Sequence, residues 1–354
     1  MTYTQLAPPP PGTSVAGPVP THGLRRPRAA RPSTVVVEDL RKDFGSFTAV
    51  DGMSFEVASG SVVGLLGPNG AGKTTMIRML LGLTRPTSGR ATVLGADLAT
   101  PEFDAARVRV GAMIEGPSPY LALSGRRNVE VQAQVLGVPN AAARVSEVLE
   151  LVDLADRQGD RAKGFSLGMK QRLGIAMALV ANPELLILDE PANGLDPAGI
   201  VDLRNLLRRL AGEGITVLVS SHQLAEVQQA SDHLVIMARG RVIEAGSTGN
   251  LLSAHQGPAA VEIDVPFDNL PRAASALASL GELTVDGTTV TVLPHHEISP
   301  GTLNQALFDV GVAADRIQRV TRSLEDVFLD LTADAATGGP TPPSQPNQTM
   351  EVSR

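Results

Sequence analysis

The 354-residue chain contains no cysteine, which excludes disulfides and thiolate metal sites. Lysine is confined to Lys42, Lys73, Lys163 and Lys170, so the positive charge is otherwise carried by arginine. No run of about 18 or more apolar residues occurs, so no segment is expected to span a bilayer as a helix. The start of the chain has no apolar signal core either; residues 6–20 are rich in proline and glycine. The net charge of −7 lacks the positive excess of a general nucleic-acid binder. These absences point to a soluble protein with neither a disulfide framework nor a membrane span of its own.

With 43% hydrophobic residues, the chain can bury a sizeable core. Its length suggests about two domains at ~150 residues each. Residues 1–33 are Pro/Ala/Gly-rich and carry Arg25, Arg26, Arg28 and Arg31, a composition that reads as a disordered tail. A solvated basic tail is the main reading there, and contact with anionic headgroups the other. Residues 335–354 share the disordered character. Between the tails, 34–256 is expected to form an α/β domain with a mainly helical lobe at about 100–163. Residues 257–334 are expected to form a small α+β domain.

The apolar runs 61–66, 185–188, 215–219 and 234–237 are short and bounded by polar or turn residues. That is the pattern of buried strands in a largely parallel sheet. The runs 35–37 and 47–57 also read as strands. After residue 256, strand candidates at 260–265, 282–285, 288–293 and 316–320 alternate with helix candidates at 271–280 and 302–310. The order β-α-β-β-α-β is the split arrangement of ferredoxin-like domains. A last helix is expected from Ser323, with Asp326 in a capping box and Leu324, Val327, Phe328 and Leu331 on one face.

The chemistry is concentrated in Gly67-Pro68-Asn69-Gly70-Ala71-Gly72-Lys73-Thr74-Thr75. This stretch follows an expected strand and opens onto an expected helix. A glycine-rich turn in that setting is a phosphate cradle: backbone N–H groups wrap the phosphates and the helix N-terminus adds its positive end. Lys73 would reach phosphate oxygens, and the Thr74 hydroxyl would face Mg²⁺. The chain is therefore expected to bind a nucleoside triphosphate.

A phosphate loop alone does not choose among kinases, GTPases and transport ATPases. Residues 185–190 form an apolar strand ending in Asp189 and Glu190. By itself such a pair is often a solvated strand end. With the phosphate loop upstream, Asp189 is placed to hold Mg²⁺ and Glu190 to polarise an attacking water. A further strand ends in Ser220-Ser221-His222, from where His222 would donate to the charge developing on the γ-phosphate. Upstream, Ser166 and Gly168 open a helix and offer a second anion site, or simply an N-cap.

The order of phosphate loop, 166–172 segment, Asp189-Glu190, 193–196 and His222 resembles the ATP-binding subunit of ABC transporters over roughly 35–246. The resemblance implies a P-loop ABC ATPase core with a helical subdomain. It makes 67–75 the Walker A motif, Asp189 the end of Walker B and Glu190 the catalytic glutamate. Ser166–Gln171 becomes the signature segment, 193–196 with Asp196 the D-loop, and His222 the switch histidine. Phe44 matches the aromatic that stacks on adenine, a core phenylalanine being its other reading.

Two departures stand out. Phe165, Leu167 and Met169 replace the usual first, third and fifth signature residues, while Ser166 and Gly168 are kept. Glu115 stands where the family carries the Q-loop glutamine, and would reach Mg²⁺ or water as a carboxylate. Both departures are similar to the bacitracin- and lantibiotic-type export branch. The resemblance implies ATP and Mg²⁺ as cofactors and a head-to-tail dimer. It also implies a separate polytopic membrane permease, whose helix would dock beside 115–120, and a position on the cytoplasmic face of a bacterial membrane. No specific nucleic-acid partner is expected. The alternatives are a non-transport ABC ATPase acting on ribosomes or DNA, and a regulatory module that holds ATP without turnover. A single Walker A and the absence of a long heptad run argue against the first, and Glu190 with His222 against the second.

Overall fold

The computed structural model describes residues 33–223, 229–255, 260–296 and 298–320. All of them belong to one unit spanning Pro32–Arg354. The tails and the expected helix from Ser323 lie outside the described residues.

In chain order the elements begin with β1 (Ser33–Phe44), β2 (Phe47–Ala58), β3 (Val62–Leu66), α1 (Lys73–Leu80), β4 (Ser88–Val93), β5 (Ala96–Asp97), α2 (Glu102–Arg107) and β6 (Val110–Met113). There follow α3 (Gly125–Val135), α4 (Ala141–Leu151), α5 (Leu167–Leu179), β7 (Leu185–Asp189), α6 (Pro197–Gly212), β8 (Thr216–Ser221), β9 (His233–Ala238), β10 (Arg241–Ser247) and α7 (Thr248–His255). The C-terminal part adds β11 (Ala260–Asp264), α8 (Leu270–Leu277), β12 (Gly281–Asp286), β13 (Thr289–Pro294), α9 (Pro300–Asp309) and β14 (Arg316–Val320).

The central sheet runs β10-β9-β3-β8-β7-β6, and every pairing is parallel except the β9–β10 hairpin. Its inner strands β3, β7 and β8 are buried throughout, which is why they read as unbroken apolar runs. Successive side chains still point to opposite faces. Val63, Leu65, Leu185, Ile187, Leu218, Val235 and Met237 join one core with Met76, Ile77, Met79 and Leu80 of α1 and with the antiparallel sheet β2-β1-β4-β5. Val62, Leu66, Leu186, Leu188, Val217, Val219, Leu234 and Ile236 join the other core, with helices α3 to α6. Burying one such Leu or Ile side chain contributes about 1.5–3 kcal/mol, so the two-sided pattern is a strong determinant of register.

The helical lobe is built from α3, α4 and α5, whose Val129, Ala133, Val145, Val148, Leu149, Leu173 and Ile175 meet in one cluster. The expected helical block at about 100–163 includes a strand: β6 is the parallel edge of the central sheet, beside β7. Four residues are too few to show a period. Gly111 lets α5 pack closely on this strand, since a Cβ there would lie 2.3 Å from the Ala178 carbonyl oxygen of α5. Strands β4 and β10 had no counterpart in the apolar pattern because both carry polar or half-exposed residues along most of their length.

The C-terminal part follows the order β-α-β-β-α-β, with an antiparallel sheet ordered β12-β13-β11-β14. It has its own core of Val261, Ile263, Ala273, Leu277, Val290, Val292, Leu303 and Leu307.

Candidate nucleotide site

Three neighbouring strands of the central sheet deliver the candidate residues from their carboxyl ends, where ligands bind in open α/β sheets. The phosphate loop leaves β3, Asp189 closes β7, and His222 follows β8 directly. The loop turns onto α1 through Gly72, which takes φ +102 as the N-cap of that helix. A Cβ on Gly72 would sit 2.6 Å from the Ala49 carbonyl oxygen, so only glycine fits both the turn and the space.

Lys73 opens α1 and is 6% exposed. Its Nζ donates to the carbonyl oxygens of Gly67 at 2.6 Å and Pro68 at 3.3 Å, and stands 3.2 Å from Glu190 Oε1. Thr74 Oγ1 donates to Asp189 Oδ2 at 2.9 Å. Glu190 Oε2 lies 2.7 Å from His222 Nδ1. A carboxylate only accepts, so the ring N–H sits on Nδ1, and in the neutral ring Nε2 is left as the acceptor. Glu190 itself has φ +50. A non-glycine residue there costs about 1–3 kcal/mol and persists only where its surroundings hold it. Ser220 supplies part of that hold: its Oγ accepts from Glu190 N at 2.9 Å and donates to Asp189 Oδ1 at 2.5 Å.

Lys73, Thr74, Glu190 and His222 border one open cleft of about 480 Å³, lined also by Phe47, Ala49, Asn69, Gly70, Ala71, Gly72, Thr75 and Asn193, with Asp189 and Ser220 buried behind it. Ser166, Gly168 and Asp196 are elsewhere. They border a second cleft with Met169, Gln171, Arg172, Leu195 and Asp202. Both helix starts in that cleft are capped. Ser166 Oγ accepts from Met169 N at 3.2 Å to begin α5, and Asp196 Oδ1 accepts from Gly199 N at 2.9 Å to begin α6, with Pro197 in its first turn. The stretch from Asn193 to Asp196 runs from one cleft to the other.

Two expected site residues are placed differently. Phe44 does not line the cleft; its ring is half exposed and carries Lys42 Nζ at 4.9 Å from its centroid. Its cross-strand partner at the tip of the β1–β2 hairpin, Phe47, takes the cleft position. Glu115 is not at the Thr74–Asp189 cluster. Its backbone is left-handed, φ +59, and its exposed carboxylate pairs with Arg78, one turn beyond Thr74 on α1. The added negative charge at this position is therefore balanced within the chain.

Three residues with evident roles in this geometry escaped the motif reading: Ser220, Phe47 and Arg78. Ser220 was visible only as a strand residue before His222, and its register opposite Asp189 needs the sheet. Among the described residues, no three His, Cys, Asp or Glu groups converge as a metal site. Thr74 and Asp189, hydrogen-bonded to each other, and the neighbouring Glu190 carboxylate are hard-oxygen donors beside the phosphate loop. That sparse set fits Mg²⁺, which is bound by one or two carboxylates together with substrate phosphates.

The family model described as "ABC transporter" matches residues 50–193. The bacitracin transport ATP-binding protein BcrA of Bacillus licheniformis is 36% identical over 326 residues, covering 86% of this chain and 100% of that protein. The chain belongs to the ATP-binding proteins of ABC transporters. The daunorubicin resistance ATP-binding protein DrrA3 of Streptomyces coeruleorubidus is 37% identical over 308 residues, covering 85% of this chain and 96% of the relative. Among solved structures, cbiO1 of Clostridium perfringens, part of the ABC transporter complex cbiONQ, superimposes with a TM-score of 0.58. It is 28% identical, over 62% of this chain and 91% of its own. The ABC ATPase fold expected from the motif order is thereby shown.

Proposed function

We propose that this ABC ATPase powers export of peptide antibiotics or drugs through a separate membrane permease, binding at the cytoplasmic face of a bacterial membrane. The observation that carries the mechanism is the division of the ATPase motifs between two clefts of one chain. Lys73, Asp189, Glu190 and His222 stand together, whereas Ser166 and Gly168 line another surface. One chain thus holds two half-sites, and a head-to-tail pair of chains completes both. The stretch from Asn193 to Asp196, which touches both clefts, is the path by which occupancy of one is felt at the other.

In this reading ATP lies on the phosphate loop. Its β- and γ-phosphates take the loop N–H groups and draw Lys73 Nζ from its carbonyl partners. Mg²⁺, held by Thr74 and Asp189, supplies charge neutralisation at the phosphates when bound. Glu190 accepts the proton of the attacking water. His222 orients the Glu190 carboxylate through Nδ1. Ser166 and Gly168 of the second chain meet the γ-phosphate at the N-terminus of α5. ATP therefore favours the closed pair and hydrolysis reopens it, a population shift driven by differential affinity.

Export of antibiotics or drugs is supported by the names of the relatives: BcrA is a bacitracin transport protein and DrrA3 a daunorubicin resistance protein. Among the described residues no helix is long and apolar enough to cross a membrane, so the substrate path is assigned to another subunit. The test is co-purification of tagged Glu190→Gln chain from detergent-solubilised native membranes with ATP. A stoichiometric polytopic protein supports the reading. Recovery of ribosomal or DNA-processing proteins without one overturns it.

A further inference from the structure

Ser220 belongs to none of the motifs that mark this family in the sequence, yet it joins the two acids of the site. It is fully buried. Parallel pairing of β7 and β8 sets it directly opposite Asp189. Its single proton goes to Asp189 Oδ1 at 2.5 Å, and its oxygen accepts the Glu190 amide at 2.9 Å. One hydroxyl thus fixes the side chain of one acid and the backbone of the next.

We propose that Ser220 is a positioning residue for hydrolysis: it holds Glu190 in its left-handed backbone conformation and orients Asp189 beside the phosphate loop. The inference rests on the reading of Glu190 as the general base. Asp189 Oδ2 already faces Thr74, so a carboxylate bonded at both oxygens has one orientation. Glu190 at φ +50 leaves that conformation unless its N–H is held. If it relaxes, its carboxylate turns away from Lys73 and His222, which it meets at 3.2 and 2.7 Å. Buried as it is, Ser220 has no bulk water beside it to take over when the hydroxyl is removed.

An isosteric pair of variants separates the hydroxyl from packing. A cavity of about 20 Å³ adjoins Ser220, lined also by Ala192, Leu207 and Val219, and gives room for one added methyl. Ser220→Thr keeps the hydroxyl and Ser220→Val replaces it with a second methyl, both β-branched and suited to a strand. On the full-length chain, kcat at saturating ATP and the dissociation constant for ATP are measured for both. Ser220→Val is expected to lose about tenfold to a hundredfold in kcat, the scale of a misplaced catalytic group, with ATP affinity held within about threefold. Ser220→Thr is expected to stay within about threefold of the parent in both. Equal kcat for the two variants, whether both active or both impaired, overturns the proposal. Should Ser220→Val fail to fold, Ser220→Ala takes its place against Ser220→Thr under the same criterion. Glu190→Gln is assayed alongside. If it still hydrolyses ATP, the general-base reading fails; if it is inactive while Ser220→Val turns over normally, only the role of Ser220 fails.

Discussion

Lys73 Nζ stands 3.2 Å from Glu190 Oε1, so the lysine proposed to hold phosphate is paired with the carboxylate proposed to activate water. Both are largely shielded, and the lysine has two backbone carbonyl partners besides. Phosphate must compete with this arrangement for Nζ. In the proposed mechanism this pairing couples nucleotide binding to release of the base: once Lys73 turns to phosphate, Glu190 keeps its contact with His222 and faces the cleft.

Glu190→Gln is expected to separate the two roles. The amide cannot take a proton from water, and loss of a general base costs about 10²–10⁴ in rate. The same substitution removes the charge that competes for Lys73, so ATP should bind as tightly as in the parent or tighter. Hydrolysis of bound ATP and equilibrium ATP binding check the two halves. Weaker binding together with unaltered turnover would reverse the assignment.

Lys73→Ala should do the opposite. It deletes a charge-assisted contact worth about 1.5–3 kcal/mol, so affinity for ATP falls about tenfold to a hundredfold. The effect on ADP should be smaller if Nζ reaches the γ-phosphate. Titration with ATP and ADP, followed by calorimetry, gives both numbers.

The motif residues of the phosphate loop and the two strand-end acids were legible because their spacing is local: strand, turn and helix follow one another within 62–80. The inner strands were legible for the same reason, each being a short apolar run. What required the structure is non-local or geometrically degenerate. Ser220 meets Asp189 across 31 residues through strand register. Phe44 and Phe47 are the same residue type three positions apart, and only the folded cleft shows that Phe47 is the one lining it. Glu115 and Arg78 are 37 positions apart, so the partner that balances the carboxylate has no signature along the chain.

Glu115→Gln is expected to be nearly silent in stability, because an exposed ion pair contributes about 0–1 kcal/mol. It should also leave the affinity for Mg-ATP unchanged, since the carboxylate faces Arg78. A thermal melt and an ATP titration at fixed Mg²⁺ check this. A tenfold loss of Mg-ATP affinity would return Glu115 to the metal, on the scale of a lost charge-assisted contact of about 1.5–3 kcal/mol.

In the C-terminal sheet, Asp264 has its carboxyl held below the usual carboxylate value by hydrogen bonds from Arg316 and Thr289. A depressed carboxylate contributes stability above its unfolded value, and that contribution is lost as pH falls through the folded one. Asp264→Asn should therefore lower the melting temperature of the full chain at neutral pH, and the difference from the parent should vanish in acid below the depressed value. Melts of both chains across that window check the sign. A difference that grows on acidification would mean that the pair does not stabilise the fold.

The division of the motifs between two clefts makes a prediction that no single variant tests. In a head-to-tail pair, each ATP touches Lys73 of one chain and Ser166 of the other. Lys73→Ala chains alone have no competent phosphate loop, and Ser166→Arg chains alone have no competent opposing helix start. A mixed pair combines both defects in one site and leaves the other with its own Lys73 and Ser166 intact. Mixing the two inactive preparations is therefore expected to restore ATP hydrolysis, by up to about a quarter of the parental rate if chains pair at random and sites act independently, following the symmetry of an isologous dimer. If the two sites fire only together, mixing restores nothing, yet ATP still closes the mixed pair through its one intact site. Size measurement of the mixture with ATP separates that outcome from chains that never associate, and only the latter removes the composite site.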